Sequence, residues 1–135
     1  MMRKTFMMMG AAALLLVYAP GMAGAASVDG TWRTPKGWLI KIAPCGDARC
    51  GTVVGGTSEL DKHNPDPAKR SRKMVGVRLL WGLKKSGKGW AGKLYNPHDG
   101  KTYTGKVAVS GDSLKLSGCV LGGLFCRSQT WRRAR

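Results

Sequence analysis

Residues with chemical potential fall in three places along this chain. The run LDKHNPDPAKRSRKMVG, residues 60–76, mixes Asp61 and Asp66 with Arg70 and Arg72. The run FCRSQTWRR, residues 125–133, carries Arg127 and Gln129 at alternate positions. His63 and His98 are the only histidines, each in a proline-containing turn. A guanidinium and a carboxamide on one strand face can recognise an acidic or polar head group. Nucleophilic and metal chemistry have less to work with. Neither histidine has H-E-x-x-H context, and no G-x-S-x-G elbow occurs. The aspartates and asparagines miss EF-hand spacing, and a metal site built on both histidines would require two separate loops to meet. The reading leans away from an enzyme, assigns no catalytic residue, and calls for neither a cofactor nor a metal.

Ordered loops beyond about 12–15 residues are uncommon and usually functional. In the 60–76 run, Asp61, Asn64 and Asp66 can turn the chain through side-chain-to-backbone bonds, with Pro65 and Pro67 fixing φ. Asp61 or Asp66 paired with Arg70 or Arg72 would order the run as a lid across an opening shared with Tyr103. A self-ordered Ω-type loop is the plainer alternative. NPHDGKTY, residues 96–103, reads as a short hairpin with Asp99-Gly100 suited to a type I′ turn.

The elements that must position these groups are strands. WLIKI places Trp38, Ile40 and Ile42 on one face, and VRLLWGL aligns Val77, Leu79, Trp81 and Leu83. WAGKLY, YTGKVAV and SLKLSGCV alternate in the same way, with glycines 92, 105 and 118 on the apolar face. GTWRT, CGTVVG and FCRSQTWRR bring the total to about eight strands joined by mostly hairpin-length turns. Closure removes the edges an open sheet would expose. The expectation is an all-β, small up-and-down antiparallel barrel, with a β-sandwich as the alternative. If Trp131 points into it, alternation carries Arg127 and Gln129 inward; a bulge near Cys126 would turn Arg127 outward.

The N-terminal stretch MMRKTFMMMGAAALLLVYAPGMAGAAS has a basic front, an apolar segment and a small-x-small motif at Ala23-Gly24-Ala25, the pattern of a signal peptide over residues 1–25. Its apolar part is too short for a transmembrane span, so residues 26–135 are expected as one barrel domain, periplasmic or secreted, with no transmembrane segment after cleavage. Without Arg3 and Lys4, 21 of the 23 basic residues remain against 7 acidic ones, a net +14. That charge suits an anionic cell-envelope surface, lipid or polysaccharide, or serves only solubility; export disfavours nucleic acid. Cys45, Cys50, Cys119 and Cys126 all lie in the exported part and read as disulfides. Three pairings are open, and the local one, 45–50 with 119–126, would staple two hairpins.

Two resemblances add to this. Gly30-Thr31-Trp32 at the first strand and Thr130-Trp131-Arg132-Arg133 at the last resemble the calycin (lipocalin-like) signature. There a C-terminal arginine, here Arg133, lies across the Gly-x-Trp indole and closes the barrel floor. The wider run GTW…CG…CG…LDKHNPDPAKRSRKMVG…YNPHDGKTY…RSQTWRR resembles domain-of-unknown-function family 2147, a family of exported bacterial proteins, over nearly the whole exported part. That resemblance implies a calycin-like barrel and no particular activity. Cys119 and Cys126 depart from it, standing where apolar residues or glycine are expected.

Two functions are compatible with these observations. One is an exported barrel that binds a small acidic, polar-headed or amphipathic ligand in its interior, with Arg127, Gln129, Tyr103, Asp61, Asp66, Arg70 and Arg72 as candidate contacts. The other is a cell-envelope interaction protein whose basic exterior binds anionic lipid or polysaccharide around a filled barrel. The interior face of the last strand discriminates between them.

Overall fold

A computed structural model describes residues 27–134. The expected signal peptide, residues 1–25, lies outside the described residues. The strands are β1 (Gly30–Arg33), β2 (Leu39–Cys45), β3 (Ala48–Gly55), β4 (Arg78–Ser86), β5 (Gly89–Asn96), β6 (Lys101–Ser110), β7 (Ser113–Val120) and β8 (Phe125–Arg133). Each pairs antiparallel with its neighbours in sequence, and β8 returns to β1, so the sheet is a closed barrel. The barrel is the architecture expected from alternation; the sandwich alternative falls away.

Alternation sets the core. Trp32, Ile40, Ile42, Val53, Leu80, Leu83, Leu114 and Trp131 are all buried. The inward glycines have a packing role. A Cβ at Gly105 or Gly118 would stand 3.1 Å from a Leu94 side-chain atom, so Leu94 lies across two strands that offer it no competing side chain. β6, β7 and β8 pair without a register break from Thr104 opposite Cys119 to Ser110 opposite Ser113, and from Ser113 opposite Arg132 to Val120 opposite Phe125.

β4 departs from simple alternation. Arg78 and Leu80 lie opposite the consecutive residues Thr52 and Gly51, so Leu79 is an extra residue, and Leu79 and Leu80 are both buried. A second extra residue falls between Trp81 and Lys84, where Gly82 has φ 63°. Leu80 and Leu83 therefore both face in. Trp81, expected beside Leu79 and Leu83, lies opposite Lys93 and is only partly buried.

The disulfides are Cys45–Cys50 and Cys119–Cys126, the local pairing. The second joins directly opposed residues of β7 and β8. At the seam between β1 and β8, the Arg133 guanidinium carbon lies 4.2 Å from the Trp32 ring centroid. Its two terminal nitrogens donate to the carbonyls of Asp29 (3.1 Å) and Ser27 (2.7 Å). The indole of Trp32 donates to Val28 O at 3.0 Å. The cation covers a flat apolar face and satisfies carbonyls that no strand reaches.

Candidate functional site

The barrel is hollow at one end. A cavity of about 1020 Å³ opens between the β1–β2 turn, the β5–β6 turn and the β7–β8 tip. Leu94, Leu116 and Trp131 form apolar wall, while Tyr103, Arg127 and Gln129 supply polar groups. The unbroken β7–β8 register puts Arg127 and Gln129 on the cavity side: Trp131 is buried, the two residues at even spacing before it share its face, and both stay solvent-exposed at the open end. Gln129 Oε1 accepts a 2.7 Å bond from the Trp131 indole, which fixes the carboxamide and leaves its nitrogen as a donor. Among the described residues no carboxylate lies within ion-pair distance of Arg127. Tyr103 donates a very short hydrogen bond to Asp99 Oδ2 at the rim. That bond, followed by slight desolvation, raises the Tyr103 phenol above its usual range.

The β5–β6 turn is wider than a type I′ hairpin. Gly100 N donates to Asn96 O across four residues, and only Gly100 has positive φ. The Asn96 and Asp99 side chains organise it by accepting from the backbones of His98 and Lys101, both at 2.9 Å. His98 then packs on Trp38, ring centroids 5.7 Å apart, linking this turn to the β1–β2 side of the mouth. Burial, with Lys36 nearby, lowers the imidazole pKa, so His98 is a neutral wall residue at pH 7.

The long β3–β4 loop is ordered, and its acids and bases are used internally. Asp61 is fully buried and accepts from three donors: Tyr95 Oη at 2.6 Å, Asn64 Nδ2 at 2.8 Å and Arg72 Nε at 2.9 Å. Burial alone would raise this carboxyl; the three hydrogen bonds together with the Arg72 charge hold it below its ordinary value. The Tyr95 phenol, buried and facing that carboxylate, is pushed up to about 12. Backbone bonds from Asp61 N to Arg72 O and from Met74 N to Glu59 O, both 2.9 Å, zip the loop's two ends together. Asp66 caps the 3-10 turn at Pro67–Lys69 by accepting from Ala68 N, and Arg70 Nε donates to Asn64 O at 2.7 Å. Asp61, Asp66, Arg70 and Arg72 are thus brought together with one another, and none of them lines the cavity.

The loop buttresses the mouth from outside. Leu94 faces the interior, the pleat turns Tyr95 to the other face, and the loop covers it there. From the sequence, Asn64 is only a turn residue, Trp38 only a strand-face residue and His98 only a turn histidine; the Asn64–Asp61 bond, the Trp38–His98 packing and the burial of Tyr95 emerge only in the structure. The Asp-x-x-Asn spacing of residues 61 and 64 was a usable signal, whereas nothing local marked Tyr95.

A family model described as an uncharacterized protein conserved in bacteria (DUF2147) matches residues 30–133, from the first strand to the last. The chain belongs to the DUF2147 family. This DUF2147 barrel is also similar to a solved structure from the human pathogen Helicobacter pylori, protein HP1028, described as belonging to the lipocalin family. The TM-score is 0.72 at 26% identity, covering 82% of this chain and 84% of that one. No match was found among curated proteins. The lipocalin-like fold of this DUF2147 member agrees with the Arg133–Trp32 closure.

Proposed function

We propose that this protein is an exported binding protein that takes a small ligand with an acidic or polar head into the open end of its barrel. The single observation that carries this reading is Arg127. It stands exposed at the open cavity, next to the apolar wall of Leu94, Leu116 and Trp131, with no carboxylate partner among the described residues and beside a Gln129 amide already oriented by Trp131. An arginine beside an apolar wall gains most from an anion that arrives with its own apolar body, because that body excludes the water competing for the guanidinium. The head group would sit between Arg127 and Gln129, with Tyr103 at the rim and the remainder against Leu94, Leu116 and Trp131. The loop residues Asp61, Asp66, Arg70 and Arg72 would act at a distance, by holding the wall. Export to the periplasm or beyond is supported by two disulfides, which persist in oxidising compartments.

The test is a thermal-shift screen of acidic metabolites and fatty acids on wild type and Arg127→Ala. A ligand at 100 times its Kd stabilises by about 2.7 kcal/mol, readily visible for a barrel of this size. The expected result is a ligand whose shift falls sharply in Arg127→Ala and partly in Gln129→Leu. A ligand whose shift Arg127→Ala leaves untouched removes Arg127 from the site.

A further inference from the structure

The β7–β8 tip is built against two ordinary preferences at once. Leu121 adopts φ 53°, the left-handed region that disfavours a residue with a branched apolar side chain. That side chain is 69% exposed, and Leu124 and Phe125 nearby are 79% and 62% exposed. Gly122 and Gly123 follow with φ 69° and 94°, and Leu121 O accepts from Leu124 N at 3.3 Å, so Leu121 occupies a left-handed turn position that a glycine would take without strain. Outliers that cost both backbone strain and apolar exposure mark sites under a functional demand. The tip is also held firmly at its base, where Cys119–Cys126 joins β7 to β8.

Cations flank the apolar cluster. Lys106 Nζ stands 3.3 Å from where a Cβ on Gly123 would be, on one side of the tip. Arg127 follows Phe125 on the other side, and Lys36 lies across the mouth. Asp99 is the carboxylate on the cavity lining, and it is engaged by Tyr103. An exposed apolar point flanked by Lys106 and Arg127, neither ion-paired among the described residues, needs a partner that yields to its shape and presents anions around it. A fluid bilayer with anionic head groups does both. A second copy of the chain does not, because a symmetric tip-to-tip contact sets Lys106 and Arg127 against their own equivalents.

We infer that the β7–β8 tip docks on an anionic lipid bilayer, with Leu121, Leu124 and Phe125 entering the acyl boundary and Lys106 and Arg127 at the head groups. Docked so, the cavity mouth faces the membrane, because Phe125 and Arg127 belong to both the tip and the cavity lining. The inference goes beyond interior binding: it shares Phe125 and Arg127 with the cavity, but its test rests on Leu121 and Leu124, which do not line it.

The experiment is flotation of the purified exported protein with vesicles of phosphatidylcholine alone or with 30% phosphatidylglycerol (a probe composition of about one anionic lipid in three). Wild type should float with the anionic vesicles at least tenfold more than with the neutral ones. Leu121→Ser combined with Leu124→Ser should reduce flotation about tenfold while leaving the thermal midpoint unchanged, since both side chains are solvent-exposed. Lys106→Glu should weaken flotation and reduce its salt sensitivity. Wild type that ignores both vesicles, or a double serine variant that floats as wild type does, overturns the inference. So does a wild-type dimer in light scattering that the serine variant abolishes, which would assign the tip to self-association.

Discussion

Tyr95 on β5 donates a 2.6 Å hydrogen bond to Asp61, 34 residues earlier in the chain and fully buried. This one bond ties the longest loop of the barrel to its wall. Tyr95→Phe removes a donor without changing the ring's volume and leaves Asp61 with two of its three side-chain donors. The expected cost is about 1–3 kcal/mol, with faster amide exchange at Asp61 and Met74 than in β7 and β8. Asp61→Ala should cost more, roughly 3 kcal/mol. That is the low end for breaking a buried pair, because its partner Arg72 is partly solvated. Denaturant melts with residue-resolved hydrogen exchange would separate loop release from global loss.

The same pair makes stability depend on pH at both extremes. Asp61 is depressed in the folded protein, so its contribution is complete above the unfolded value of 3.8 and is lost as pH falls through the lower folded value. Tyr95 is raised to about 12, so its contribution is complete below the unfolded value of 10.0 and is lost as pH climbs towards 12. Urea midpoints should decline between pH 10 and 12 in wild type, and the Tyr95→Phe variant should lack this component of the decline.

Gly100 offers a sharper structural test. Its φ is 72°, and a Cβ there would collide with the carbonyl oxygen of His63 in the loop. At Gly111 φ is 59° and nothing lies within 4 Å of the same position. Gly111→Ala should therefore cost about 1 kcal/mol, the conformational term alone. Gly100→Ala should cost at least about twice that, because the loop must also move off the turn. Equal melting temperatures for the two variants would mean that the loop does not rest on the β5–β6 turn.

The barrel seam depends on the shape of Arg133 as well as its charge. Arg133→Ala should destabilise by roughly 1–3 kcal/mol through lost packing on Trp32 and two unmet carbonyls. Arg133→Lys should recover only a minor part, since an ammonium cannot stack flat and reach both acceptors. Recovery of full stability by lysine would reduce the contact to simple electrostatics. Chemical denaturation followed through tryptophan fluorescence would report it.

Regular pairing decided how much was legible beforehand. β7 and β8 run opposite each other without a break, so period-two counting from Trp131 puts Arg127 and Gln129 on the Trp131 face, where they border the open cavity while remaining solvent-exposed. The ends of the barrel were legible because Trp32 and Arg133 interact through residue types with few other uses at those positions. β4 was misread because its two extra residues reset the alternation, and a bulge leaves little trace in apolar spacing beyond Gly82. Tyr95 was invisible for another reason. Its burial is conferred by a loop remote in sequence, and alternation alone assigns it to solvent. The Asp–Arg pairing within the loop was anticipated, whereas its distance from the cavity depended on where the folded loop comes to rest.

Both cystines close short circuits, spanning 5 and 7 residues, and each lies within a single hairpin. Nearby thiols meet far more often than distant ones in an unfolded chain, so the native partners are also the kinetically favoured ones. Oxidation of the emerging polypeptide can therefore precede tertiary assembly without trapping a wrong link, and maturation requires an oxidant but no reshuffling of bonds. By the same logic, neither cystine joins distant parts of the barrel, and the overall topology must be recovered by strand pairing alone after every unfolding event.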